Sequence, residues 1–223
     1  MKVSRVFGPV LASCLLAGCF EADQDLIVEK DGSATFRTRM AMEASLLQMP
    51  EADQDFCVEE DVPDVEGISL KQERYSEGNM EVCLVTAEGP LDRMAEWIEQ
   101  ADHHPAGADG EVSEGPTITL KRDGSDYIFS VHLESSALDM GGSEEMMEEM
   151  KPMILAAFGD HALGWSVTAP EIKETNGQLS EDGKTASYSI PLVSLMEGSG
   201  TEHSFEVRFA TSSPGLLKRL LGN

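Results

Sequence analysis

A chain of 223 residues with 41 acidic against 16 basic side chains carries a formal charge of −25. That balance leaves no Lys/Arg excess from which to build a nucleic-acid surface. A hydrophobic fraction of 41% is too high for an intrinsically disordered chain, and the length suits one generous domain or two small ones.

The first residues read as an address. Lys2 and Arg5 precede an apolar run, Val6 to Leu16, interrupted only by Gly8, Pro9 and Ser13. It is too short to span a bilayer, which takes about 20 apolar residues, and has the layout of a secretory signal peptide. The run ends Leu16-Ala17-Gly18-Cys19, which resembles the lipobox of bacterial lipoproteins. The resemblance implies a diacylglycerol on the Cys19 sulfur, cleavage before Cys19 and acylation of the new amine. A thiol suits that transfer because its thiolate is nucleophilic near neutral pH. The competing reading is an ordinary cleavable signal with a chance cysteine. Residues 1–18 are thus expected to be a signal peptide and 19–23 a lipidated N-terminus and tether. Only Lys2 and Arg5 leave with the signal, so the acidic excess grows. Two or three acyl chains, at about 0.8 kcal/mol per buried CH₂, hold a protein stably on a membrane. The expectation is a cell-envelope protein anchored by lipid, with an acidic body outside the cytoplasm, periplasmic face included. Phe20 stands where enterobacterial inner-membrane lipoproteins favour Asp, which leans toward the outer membrane.

Cys14 leaves with the signal and Cys19 is expected to carry lipid, so Cys57 and Cys83 remain. In an oxidising compartment a disulfide is the expectation. It would close a loop of roughly 25 residues and contribute about 3 kcal/mol. A redox or metal-binding thiol pair is the alternative, but no C-x-x-C and no neighbouring His accompanies them.

The elements follow in order. Asp25–Glu29 and Ala34–Met42 flank Lys30-Asp31-Gly32-Ser33, a β-hairpin signal. Its second arm puts Phe36, Thr38, Met40 and Met42 on one face and Arg37, Arg39 and Ala41 on the other. A second hairpin is expected over Gly67–Tyr75 and Asn79–Ala87. Pro90–Ala101 reads as a helix with Leu91, Met94, Ala95 and Ile98 at helical spacing. A third hairpin, Thr117–Arg122 and Asp126–Glu134, places Tyr127, Phe129, Val131 and Leu133 opposite Ser130 and His132. A second helix is expected from Ser143 to Phe158, kinked at Pro152. Strands over Leu163–Thr168, Glu171–Thr175, Lys184–Pro191 and Glu202–Thr211 follow, then a short basic tail at 213–223. The fold class expected is α+β: a curved antiparallel sheet built from hairpins, with two main helices packed on one side. Residues 24–212 form one domain.

The run from Trp165 through Pro170 to Asn176-Gly177, then Asp182-Gly183-Lys184-Thr185 and Ile190-Pro191-Leu192, resembles the closing hairpin of the LppM-like domain of bacterial lipoproteins. The opening, Asp25-Leu26-Ile27-Val28-Glu29-Lys30-Asp31-Gly32-Ser33-Ala34 after Cys19, fits too. The resemblance implies a sheet curling around a hydrophobic cavity that binds lipid or glycolipid. It transfers no catalytic residue. The C-terminal membrane span of some members has no counterpart, since Leu216–Leu221 is short and holds Lys218 and Arg219.

Chemical motifs are sparse. G-x-S-x-G, H-E-x-x-H, P-loop and G-x-G-x-x-G patterns are absent from the sequence. His103-His104 reads as a solvated loop before it reads as a metal site, and His132 as a polar partner in a sheet before a general base. Met147, Met150 and Met153 could hold Cu(I) as thioethers. Met146, Met150, Ile154, Ala157 and Phe158 equally form a core stripe, or one lining an adaptable pocket. No catalytic residue, resident metal or cofactor is assigned, and the ligand-binding residues stay unknown. The leading expectation is a non-enzymatic binding module for lipid or another amphiphile. The alternatives are an envelope scaffold with a filled core and a protein partner, and, behind both, a copper carrier or enzyme.

Overall fold

A computed structural model describes residues 20–45, 47, 57, 63–102, 116–134, 161–197 and 202–211. They form an α+β fold of mostly antiparallel, curved and unclosed sheet. Strands β1 (Phe20–Val28) and β2 (Ser33–Glu43) make the first hairpin. At its turn the Asp31 carboxylate accepts from the Ser33 amide (3.0 Å) and hydroxyl (2.7 Å), which holds its pKa below the ordinary value. Gly32 there has φ 85°, open to glycine without a Cβ clash. Strands β3 (Ser69–Glu77) and β4 (Met80–Pro90) make the second hairpin, and α1 (Leu91–Asp102) follows directly. Pro90 therefore ends a strand instead of opening the helix. The Leu91 amide donates to the Gly32 carbonyl (2.9 Å), fixing the start of α1 to the first turn.

Strands β5 (Thr117–Asp123) and β6 (Asp126–Glu134) make the third hairpin. Then come β7 (Ala162–Thr168), β8 (Glu171–Thr175), β9 (Gln178–Leu179), β10 (Thr185–Pro191), α2 (Leu192–Glu197) and β11 (Glu202–Ala210). The strands divide between two sheets: seven in the order β3-β4-β2-β1-β7-β10-β9, and four in the order β5-β6-β11-β8.

Several features differ from the sequence expectation. The hairpins do not share one sheet. β1 and β7 pair in parallel, Leu26 opposite Val167, bringing together strands about 140 residues apart. The expected closing hairpin is split: β7 pairs with β10, while β8 leaves to join β11 in the other sheet. α1 matches the first expected helix, and α2 is a short helix not read from sequence. The expected helix at 143–158 lies outside the described residues. β1 begins at Phe20, so its ladder runs through residues read as tether.

Both sheets turn apolar faces to one core. Leu26, Phe36, Trp165, Val167, Ala186 and Ile190 come from the large sheet. Phe129, Val131, Phe205, Val207 and Phe209 come from the small one, and Leu91, Met94, Trp97 and Ile98 from α1. The Phe205 ring stacks on Tyr188 of the large sheet (centroids 5.7 Å, 10°) and meets Phe129 edge-on (6.3 Å, 72°). Cys57 and Cys83 are joined by a disulfide that packs with Val85 and Met40.

At one end, Tyr127 donates its hydroxyl to Asp92 of α1 (2.6 Å). Burial first, and then the Asp92 carboxylate, push the phenol up to about 12 from 10.0. The folded state thus favours the protonated phenol. Its contribution is complete below about pH 10 and lost as pH rises through about 12. Tyr127→Phe should cost about 1 kcal/mol at neutral pH, with the gap to the parent closing at high pH. Chemical denaturation across that range checks it.

Candidate functional site

Strand alternation builds the outer face of the small sheet. Ser130 pairs with Glu206 and His132 with Ser204, opposite the buried Phe129, Val131, Phe205 and Val207. Ser130, His132, Ser204 and Glu206, with Val131, Phe205, Glu174, Thr175 and Asn176, line an open concavity of about 570 Å³. Its shape comes from the end of β8. The β8–β11 register shifts between Arg208 and Phe209 and the ladder stops at Thr175. Asn176 then takes over as a side-chain strand partner. Its Oδ1 accepts from the Glu206 amide (2.8 Å) and its Nδ2 donates to the Ser204 carbonyl (3.0 Å). Gly177 follows where a Cβ would lie 2.5 Å from the Ser187 carbonyl oxygen and 2.6 Å from the Phe205 ring. Only glycine lets the chain pass there, and the polypeptide turns away from β11 to leave the hollow.

Hydrogen-bonding groups line this site: the hydroxyls of Ser130 and Ser204, the His132 imidazole, and the carboxylates of Glu174 and Glu206. His132 Nδ1 lies 3.5 Å from Glu202 Oε1. Of the cations nearby, Arg208 reaches into the hollow, its Nε 3.9 Å from Glu174 Oε2. Arg208 Nη1 contacts Asp123 (2.7 Å) and Lys173 Nζ contacts Asp126 (2.6 Å), the latter holding the Asp126 carboxyl below its ordinary pKa. The hollow therefore holds two carboxylates, Glu174 and Glu206, against one cation shared with Asp123. It suits neutral hydroxylated or cationic groups and disfavours phosphate.

A second polar cluster sits on the outer face of the large sheet. Arg39 donates to Glu21 (2.8 Å) and Glu77 (3.0 Å), with Asp23 3.9 Å away. Burial raises the Asp23 pKa, against the lowering pull of Arg39. Nearby, the buried His161 keeps Nδ1 3.6 Å from Glu21 Oε1 without a hydrogen bond. Among the described residues, no group of three or more His, Cys, Asp or Glu is gathered as a metal site.

The site residues expected from sequence fall in several places. Cys57 and Cys83 are joined. His132 is in the hollow, with Ser130 beside it on the face read as less apolar. Cys19, His103, His104 and the thioethers Met147, Met150 and Met153 lie outside the described residues, as does the 213–223 tail. Among the described residues, no helix is long and apolar enough to cross a membrane. The hollow itself was not read from sequence. Ser130-x-His132 and Ser204-x-Glu206 were its signals, legible only as two ordinary solvent faces until the register set them side by side.

The fold and hollow define an α+β two-sheet domain with a polar site outside its core. No protein-family model and no curated protein sequence matches the chain. Among solved structures it is similar to the folded domain of the LppM protein of Mycobacterium tuberculosis, determined by NMR. The identity is 11%, the match covers 91% of this chain and 96% of that one, and the TM-score is 0.54. At that identity the likeness is one of fold: the chain has an LppM-like fold.

Proposed function

We propose that the chain is a lipid-anchored envelope protein whose domain is a non-enzymatic binding module for the polar part of an amphiphile. The observation that carries this reading is the hollow of about 570 Å³ lined by Ser130, His132, Ser204 and Glu206. Its position supports the rest. β1 starts at Phe20, next to the lipobox Cys19. The start of β1 pairs beside the start of β7, and β10 ends there before α2 leads to the start of β11. His132 and Ser204 lie near that same end. The turns Asp31-Gly32, Asp123-Gly124 and Asp182-Gly183 lie at the other. Acyl chains on Cys19 would hold the hollow beside the bilayer and turn the acidic turns outward. The hollow is open and lined by polar side chains, so it takes a head group and the tail stays in the membrane. The LppM-like fold is compatible with this.

The test has two arms. Cys19→Ala should move the protein from the membrane fraction to the soluble one. Native mass spectrometry of the full chain, released from vesicles of neutral glycolipid in non-ionic detergent, should show one lipid adduct. Glu206→Lys should weaken that adduct at least about tenfold, roughly 1.4 kcal/mol. Unchanged partitioning defeats the anchor. An absent adduct, or one indifferent to Glu206→Lys, defeats the hollow as the site.

A further inference from the structure

Sheets end in strands whose outer hydrogen-bonding groups need cover, and natural proteins shorten, bury or blunt such edges. Three of the four edges here are managed. β5 lies under α1. β9 has only two residues. β8 gives way at Gly177, which abuts β10. The fourth, β3, is nine residues long and exposed along its whole length. It is regular, with every residue from Ser69 to Glu77 in register with β4, and no strand pairs with its outer side among the described residues. Leu70 (41% exposed) and Tyr75 (42%) stand out from it, two of the three large apolar side chains exposed among the described residues.

We propose that the outer edge of β3 is a docking site for an extended, basic segment of another protein, added to the seven-stranded sheet as an eighth strand. Backbone pairing would supply much of the affinity, and Leu70 and Tyr75 would supply apolar contacts on opposite faces of the added strand. Charge selects the occupant. Residues 63–90 hold six carboxylates against Lys71 and Arg74. Lys71 pairs with Glu73 (2.8 Å), Arg74 with Glu81 (3.3 Å) and Arg39 of β2 with Glu77 (3.0 Å), so none of these cations is left over and the carboxylates remain in excess. A second copy of the chain would bring another −25 to the contact, whereas a basic segment is drawn to it. The edge is also preorganised. The Cys57–Cys83 disulfide ties the segment before β3 to β4, and Gln72 Nε2 lies 3.6 Å from Cys57 Sγ. An incoming segment therefore orders only itself. This surface lies on a different sheet from the hollow and does not depend on it.

Hydrogen exchange of the full chain in non-ionic detergent tests the proposal. The probes are a nine-residue peptide of alternating Val and Lys and its alternating Val and Glu counterpart. Exchange across residues 69–77 should slow by at least about tenfold with the basic peptide and stay unchanged with the acidic one. Leu70→Lys combined with Tyr75→Lys alters only exposed side chains and should remove the slowing. Three results would overturn the proposal: exchange unaffected by the basic peptide, equal slowing by both peptides, or slowing that follows protein concentration without peptide, which would assign the edge to a second copy.

Discussion

Phe205→Ala should destabilise the protein by about 3–5 kcal/mol, the range for emptying a buried aromatic site. The ring is 1% exposed. It is also the point where the two sheets interlock, stacked on Tyr188 of the large sheet and edge-on to Phe129 of its own. The backbone at Gly177 runs so close that a Cβ there would lie 2.6 Å from the ring. Part of the loss is specific to the aromatic pair. In a double-mutant cycle of Phe205→Leu and Tyr188→Leu, the coupling should be about 0.5–1.5 kcal/mol. Guanidinium denaturation monitored by far-UV and near-UV signals gives both numbers. A loss under about 1 kcal/mol would mean that the sheets hold together elsewhere. The same substitution should loosen the hollow, whose lining includes Phe205.

How much of this was legible in the sequence depends on whether the signal was local. Asp31-Gly32 and Asp123-Gly124 announce their turns because positive φ is chemistry within two residues. The alternation Tyr127, Phe129, Val131, Leu133 announces its buried face, and all four are buried. Leu91, Met94 and Ile98 announce the inner face of α1, though Trp97 joins them. Pairing between distant strands has no such signal. Nothing in Phe20–Val28 names Ala162–Thr168 as its parallel neighbour. Nothing in Glu171–Thr175 says that it leaves the strand before it for β11. The hollow is the product of such a pairing and of the register shift beside Arg208, so its residues stayed scattered in the sequence. The disulfide needed no register, because removing Cys14 and Cys19 left a single pair.

Removing that disulfide is the second large effect. Cys57→Ala with Cys83→Ala should cost about 3 kcal/mol, since the cross-link closes a sequence separation of 26 and restricts mainly the unfolded chain. Loss of packing adds to this, because Cys83 is fully buried beside Val85. The two contributions separate by experiment. Relaxing the unfolded chain exposes more surface, so the denaturant slope should steepen along with the fall in midpoint. A packing loss alone would move the midpoint at constant slope. Reducing the parent protein with a thiol should reproduce most of the double substitution, since it opens the loop and leaves both sulfurs in place. A loss under about 1 kcal/mol would show that residues 57–83 stay compact when unfolded. Amide exchange adds a spatial readout. β3 is held on one side by β4 and tied through Cys57 to that same strand. Opening the cross-link should therefore raise exchange first along Ser69–Glu77, while β6 and β11, which pair in the other sheet, keep their protection until global unfolding.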